Sequence, residues 1–292
     1  MSTPCPSPWV LPRQSLTFDS KPLLMGILNL TPDSFSDGGK YLDPAKALDQ
    51  AEKLVAEGAD IIDIGGESTR PSAMPVDEET EMARVLPVVE KLSKSLQVPI
   101  SIDTYKSGVA QRGLDLGAQI VNDISGLTFD DRMIQVCANS RAGVICMHIQ
   151  GTPLTMQASP SYSNVVADIR THLHRRSEVL MERGIRREAI VLDPGIGFGK
   201  TADHNLDILS NLHAFRELGF PVLIGHSRKR FLGKIVNRTV GETGSVDAGF
   251  ATVGVSLALA QQGIEILRLH EIAPTRDALC AWRAIQNRRR SD

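Results

Sequence analysis

Eight times along this chain a short apolar, β-rich run ends at a polar residue or a glycine, and each time a stretch of helical periodicity follows. The runs cover residues 23–28, 61–64, 99–102, 118–121, 143–147, 189–192, 221–224 and 264–267. Between them the spacing predicts helices over about 44–57, 77–96 with Asp77 as cap, 106–116, 131–139, 165–183, 206–218, from about Ser227, 245–262 and 274–286. Strands that alternate with helices pair in parallel, and eight such units predict a single α/β domain, a (β/α)8 TIM barrel. A doubly wound open sheet is the alternative reading of the same pattern. In the barrel every strand end faces one rim, so residues scattered through the sequence converge there. The barrel is expected over residues 21–288, after a Pro- and Ser-rich N-terminal segment over residues 1–20 that reads as a flexible tail or a short edge element.

The sixth strand–loop junction reads VLDPGIGFGK, residues 191–200. An apolar run that stops at Asp193 and breaks into Gly195, Gly197 and Gly199 places one carboxylate where the backbone leaves the core. It also lets that backbone come close to a ligand. A nucleotide P-loop is excluded by spacing, because the position that must be its first glycine is Pro194. A tight turn carrying an incidental acid is the plainer alternative.

Composition narrows the function. A formal net charge of -2 argues against a general nucleic-acid binder. Cys5, Cys137, Cys146 and Cys280 are far apart and form no C-x-x-C pair, so neither a zinc ribbon nor a disulfide framework is expected. Cys146, inside an apolar run, reads as a small hydrophobe. No run is apolar enough for a signal peptide or a membrane span, which makes the cytoplasm the default location.

At the expected rim stand Asn29, Asp103, Asn122, Asp193, Lys229, Arg268 and His270. Two acids and two amides suit a ligand with several N–H donors and ring acceptors, such as a pterin or guanine edge. A carboxylate accepts two parallel N–H bonds from an amino-pyrimidinone, and a lysine donates to its carbonyl oxygen. Arg268 and His270, two positions apart on one strand, point the same way and suit an anion such as phosphate. A helix beginning near Ser227 offers free N–H groups to another. Asn29 with Asp33 or Asp37 supplies hard oxygens of the kind Mg²⁺ accepts beside a diphosphate. Singly, Asp103 or Asn122 reads equally well as a helix cap; the shared rim is what makes them a set. A zinc site built from His148, His226 and His270 is the rival constellation. The chain's one H-x-H, His172 to His174, falls in a helix, and the first strand ends in Asn29, so His148 and His226 read as packing residues.

LNLTPDSFSDGG (28–39), GGESTRP (65–71), SIDT (101–104), NDISG (122–126), DPGIGFGK (193–200), SRKRFLG (227–233) and RLH (268–270) occur in this order. Together they resemble the dihydropteroate synthase family, over about residues 22–286. The first and fifth motifs are the specific ones. The resemblance implies a pterin-binding barrel that joins (7,8-dihydropterin-6-yl)methyl diphosphate to 4-aminobenzoate with release of diphosphate. By motif, it implies that Asp103, Asn122, Asp193 and Lys229 hold the pterin, with Met147 on the pocket wall. Arg268 and His270, with Thr69 near them, would bind the diphosphate, and Asn29 would ligate Mg²⁺. Phe35 and Asp37 on the first loop, and Thr69, Arg70 and Pro71 on the second, would close over the reacting carbon. Phe198 would pack on the aminobenzoate ring, and Asp37 or Asp103 would stabilise a cationic methylene. Dihydropterin diphosphate, 4-aminobenzoate and sulfonamide inhibitors are the expected partners, and the family suggests a homodimer through its last helices.

Three positions depart from the family pattern. Arg230 stands where serine is more usual, beside the aminobenzoate carboxylate. Glu271 replaces an aspartate after RLH, and Ser72 replaces a glycine after TRP. Phe35 and Pro71 fit the pattern without an insertion, so ordinary sulfonamide sensitivity is expected. A pterin-dependent methyltransferase shares the barrel and the Asp/Asn contacts but has no use for a diphosphate set. A pterin-binding paralogue with idle chemistry would be expected to have lost the two closing loops, yet both motifs are intact.

Overall fold

The computed structural model describes residues 6–19, 21–31, 44–71, 73–240 and 248–289. An antiparallel hairpin, β1 (Trp9–Val10) and β2 (Ser15–Leu16), precedes the repeat. The repeat then runs β3 (Leu23–Asn29), α1 (Pro44–Ala56), β4 (Ile61–Gly65), α2 (Glu78–Ser95), β5 (Ile100–Asp103), α3 (Ser107–Asp115), β6 (Ile120–Asp123), α4 (Met133–Ser140) and β7 (Gly143–Met147). It continues with α5 (Val165–Glu182), β8 (Ile190–Asp193), α6 (Ala202–Ser210), α7 (Leu212–Arg216), β9 (Leu223–Ile224), α8 (Arg230–Val240), α9 (Ala248–Gln261), β10 (Ile266–Leu269) and α10 (Ala273–Arg289).

The eight strands pair in parallel in the order β8-β7-β6-β5-β4-β3-β10-β9. A single bridge between Leu192 and Val222, with Leu192 N–H donating to Pro221 O at 2.9 Å, joins the two ends and closes the barrel. The expected TIM barrel is therefore the fold, and the open-sheet alternative is not.

Alternation along each strand separates two apolar clusters. Ile62, Ile64, Ile102, Val121, Val144, Cys146, Leu267 and Leu269 face outward and pack with the helices. Met25, Ile61, Ile120, Ile145, Val191, Leu223 and Ile266 face inward and fill the lower barrel. The positions that continue the inward parity, Asp63 and Gly65, Asp103, Asn122, Asp193, Arg268 and His270, therefore rise toward the C-terminal rim.

The hairpin corrects one expectation: residues 6–19 are not a loose tail. Trp9, Leu11 and Phe18 join the inward-facing cluster and plug the bottom of the barrel. Trp9 is 0 % exposed, and its indole N–H donates to Ala189 O at 2.8 Å. Proline and serine masked three apolar residues that complete the core floor.

Two helix boundaries also move. The helix expected from Ser227 begins at Arg230, because Arg228 has φ 56, a left-handed conformation that no α-helix accommodates. The helix expected over 206–218 is two, broken at Asn211. Its first part starts earlier, at Ala202, where Thr201 and His204 form a capping box.

If the hairpin plug carries stability, Trp9→Ala should cost about 3–5 kcal/mol, read as a lower midpoint in urea unfolding. A change below about 1 kcal/mol would show that the barrel closes its floor without it.

Candidate active site

The rim is assembled from the upper ends of the strands and the loops that follow them. Asp103 ends β5, Asn122 lies near the end of β6, Met147 ends β7, and Asp193 ends β8. Arg268 is inside β10, and His270 is the residue after it. Lys229 lies between β9 and α8. Asn122, Met147 and Asp193 are buried, while Asp103, Lys229, Arg268 and His270 are partly exposed. This is the geometry of a pocket floor with a polar mouth.

The centre of that floor is Arg268. Its Nε donates to Asp63 Oδ2 and its Nη2 to Asp103 Oδ2, both at 2.6 Å. Asn122 Nδ2 donates to the same Asp63 oxygen at 3.0 Å. Burial alone would lower the guanidinium's pKa, but Asp63 and Asp103 outweigh it and hold Arg268 charged. Burial raises Asp103 to about 7, and the Arg268 charge opposes the rise. Asp63 is a member of this network that the sequence reading did not include. A lone acid inside the apolar run IIDIG, at the parity of Ile61, was the available signal.

Beside this network the loop 193–200 folds over the rim. Asp193 Oδ1 accepts from its own loop's Gly195 N–H at 2.7 Å, and burial raises its pKa. Gly195 has φ 71, and a Cβ there would stand 2.0 Å from His148 O, so no other residue fits. At Gly197, φ 81, a Cβ would stand 2.8 Å from the Lys229 chain. The Lys229 ammonium uses that space, donating to Ile196 O and lying 4.1 Å from the centre of the Phe198 ring. Burial lowers Lys229 to about 7 against the pull of Asp193.

Lys200, the end of the glycine motif, is only 3 % exposed. Its Nζ reaches Phe198 O at 2.8 Å and His148 Nδ1 at 3.1 Å, tying the loop to the end of β7. Burial and then Lys200 push His148 down to about 2. His226 is also buried and lies against Thr252 O at 3.1 Å and Ser256 Oγ at 3.0 Å. Both histidines are buried and bonded within the fold, and among the described residues no group of three or more His, Cys, Asp or Glu is placed to hold a metal.

His270 Nδ1 lies 3.0 Å from Ser227 Oγ, and its backbone N–H donates to the same oxygen. Burial, then Arg268, Arg228, Arg70 and Lys229, push His270 down to about 4. These four cations bring a positive field to one side of the pocket. Glu271, the departure from the family pattern, pairs its carboxylate with Arg228 Nη2 at 2.8 Å. Thr69 is half-buried on the β4–α2 loop, and Arg70 and Pro71 are exposed there. Asn29 ends β3 at the rim, half-buried, with Gly65 beside it in register. Arg230 is exposed at the first turn of α8, with no bond to the Arg268 network among the described residues. Phe35, Asp33, Asp37 and Ser72 lie outside the described residues.

A family model described as pterin binding enzyme matches residues 25–270. A dihydropteroate synthase of Haemophilus influenzae is 42% identical over 268 residues, covering 92% of this chain and 95% of that protein. The solved dihydropteroate synthase of Xanthomonas albilineans with 4-aminobenzoic acid superposes with TM-score 0.87 at 38% identity, covering 97% of this chain and 99% of that one. The Yersinia pestis dihydropteroate synthase with a sulfonamide drug gives TM-score 0.87 at 37% identity, covering 96% and 100%. With the inward-facing carboxylates, amide and lysine gathered on one barrel rim, these likenesses decide the family: the chain belongs to the pterin-binding enzymes as a dihydropteroate synthase, a transferase of the dihydropterinylmethyl group in folate biosynthesis.

Proposed function

We propose that the rim divides its work between two ends of one substrate, (7,8-dihydropterin-6-yl)methyl diphosphate. Asp193, Asn122, Asp103 and Lys229 grip the amino-pyrimidinone, with Met147 as an apolar wall. Arg268, His270 and Thr69 receive the diphosphate, aided by the Ser227 hydroxyl. The observation that carries this reading is the gathering of acceptors and cations around Arg268, which bonds to Asp63 and Asp103. Asp193 and Lys229 lie close enough to influence each other's ionisation.

The chemistry follows from charge. The bond between the exocyclic methylene and the diphosphate oxygen breaks, and negative charge grows on the leaving group. Arg268 and the cations around His270 are already aimed at that charge, so little reorganisation is needed. The carbon becomes cationic and faces Asp103, with Asp37 as a second acid. The neutral amine of 4-aminobenzoate then forms the new C–N bond and gives up a proton, without needing a strong base. Phe198 and Pro71 flank the amine's ring, and Arg230 meets its carboxylate. A sulfonamide shares that ring-and-anion shape and takes the same place, in keeping with the Yersinia pestis complex.

Mg²⁺ fits the donors at hand. Asn29 offers a hard amide oxygen at the rim, and Gly65 stands in register between it and Asp103. A site with one such oxygen suits an ion that keeps phosphate and water ligands. When bound, Mg²⁺ neutralises charge on the departing diphosphate.

The assembly proposed is a homodimer through α9. That helix, AGFATVGVSLALAQ, is apolar on every side, yet Phe250 is 80 % exposed beside the small Gly254 and Ala258. The free buried thiols Cys137 and Cys146 suit a cytoplasmic setting.

Mixing both substrates with Mg²⁺ should release diphosphate only when 4-aminobenzoate is present in turnover amounts. Release at the same rate without the amine would refute the condensation. Asp193→Asn turns an acceptor pair into a partial donor, and calorimetry should show pterin binding abolished; near-normal affinity would remove Asp193 from the pocket. The pH profile has a definite sign. Below about 7 Asp103 takes up a proton and loses an acceptor; above about 7 Lys229 loses a proton and a donor. The kcat/KM for the pterin substrate should therefore peak near neutrality and fall on both sides, whereas a flat profile between about pH 5.5 and 8.5 would contradict these assignments. Sedimentation should find a dimer that Phe250→Asp converts to monomer, and a wild-type monomer would exclude the α9 interface.

A further inference from the structure

We infer that Asp63 is a positioning residue that couples the pterin end of the site to the diphosphate end. The inference rests on the roles proposed above for Asn122 and Arg268.

Asp63 is 0 % exposed and faces the barrel interior, one inward step above the apolar floor residue Ile61. One of its oxygens, Oδ2, accepts from both Asn122 Nδ2 at 3.0 Å and Arg268 Nε at 2.6 Å. The other, Oδ1, has no partner among the described residues. Side chains from three strands, β4, β6 and β10, thus meet at one atom.

Each contact fixes something a ligand would read. A carboxylate only accepts, so the Asn122 nitrogen must face Asp63 and the amide oxygen is the atom left for a ligand N–H. Were Asn122 free to rotate, half of its orientations would present a donor to a donor. On the other side, Arg268 spends Nε on Asp63 and one Nη2 hydrogen on Asp103. The guanidinium carries five donors, so its Nη1 edge remains for an anion, in a fixed plane. Without Asp63 that plane would be held at one point only, and the fork could turn.

Asp63 touches neither reacting atom in this scheme; it acts through Asn122 and Arg268. Removing it should loosen both ends at once, although the two ends bind different chemistry. A residue that merely packs the strand would lower stability without that paired signature.

The test uses two probes on the full chain. 6-Hydroxymethylpterin, which lacks the diphosphate, reads the Asn122 end, and inorganic diphosphate with Mg²⁺ reads the Arg268 end. Calorimetry on Asp63→Ala should show each affinity reduced by about tenfold or more. Asp63→Asn, which keeps an acceptor but not the charge, should recover part of each. In an Asn122→Ala background Asp63→Ala should cost pterin no further affinity, and in an Arg268→Ala background it should cost diphosphate none. Wild-type affinities in Asp63→Ala, or losses that add in full, would overturn the inference while leaving the rim roles intact. Unchanged pterin affinity in Asn122→Ala would instead overturn the rim roles, and this inference with them. Should Asp63→Ala fail to fold, nitrogen NMR of the unaltered chain decides. The Arg268 Nε–H should exchange slowly with solvent and hold its shift when diphosphate is added, while the Nη signals move. An Nε–H that exchanges as fast as an exposed arginine's would overturn the inference.

Discussion

A guanidinium inside a barrel is expensive to desolvate, and the upper half of this molecule is arranged around making Arg268 tolerable there. Two carboxylates from neighbouring strands meet it at 2.6 Å each, and one of them also holds Asn122. Buried ionic groups of this kind are weak sources of stability but strong sources of geometry, because removing one partner leaves a charge uncompensated. Stability is supplied elsewhere. The outward cluster binds strands to helices, and the inward cluster with the Trp9 hairpin closes the floor. The apolar lower barrel is what allows the upper barrel to be charged.

That division sets the electrostatics of the rim. Burial pulls Asp103 upward and Lys229 downward to about 7, so the rim carries an acid and a base that titrate near neutrality. The glycine loop 193–200 makes this crowding possible. Gly195 lets the backbone come against His148 O, and Gly197 leaves the space that the Lys229 chain fills. Lys200, held by Phe198 O and His148, then pins the loop from behind, so the ring of Phe198 stays over the ammonium of Lys229. Positive groups gather on the His270 side, which gives the pocket an axis from acceptors to cations.

Much of this was legible in the sequence because β/α alternation and strand parity are simple periodic signals. Eight apolar runs, each ending in a polar residue or a glycine, located the rim, and Asp103, Asn122, Asp193, Lys229, Arg268 and His270 all stand there. What failed did so for local reasons. The Trp9 hairpin hid in a Pro- and Ser-rich segment, since two-residue strands leave no periodic trace. The start of α8 shifted because a left-handed Arg228 is not written in its side chain. Asp63 was overlooked because it sits within an apolar run rather than at its end. Only the parity it shares with Ile61, once the barrel is known, turns it inward. The Asn211 break between α6 and α7 is likewise a backbone event, with φ -124 and ψ 38 at a residue that helix periodicity reads through.

In the proposed function one pocket receives a pterin by its amino-pyrimidinone edge while its phosphate end points to the cations. A crystal structure of the chain with a non-hydrolysable dihydropterin diphosphate analogue tests this most directly. It should show the ring N–H groups on Asp193 and the Asn122 amide oxygen, and the phosphates against Arg268 and His270. A ring that makes no contact with Asp193, or phosphates bound away from β10, would contradict it.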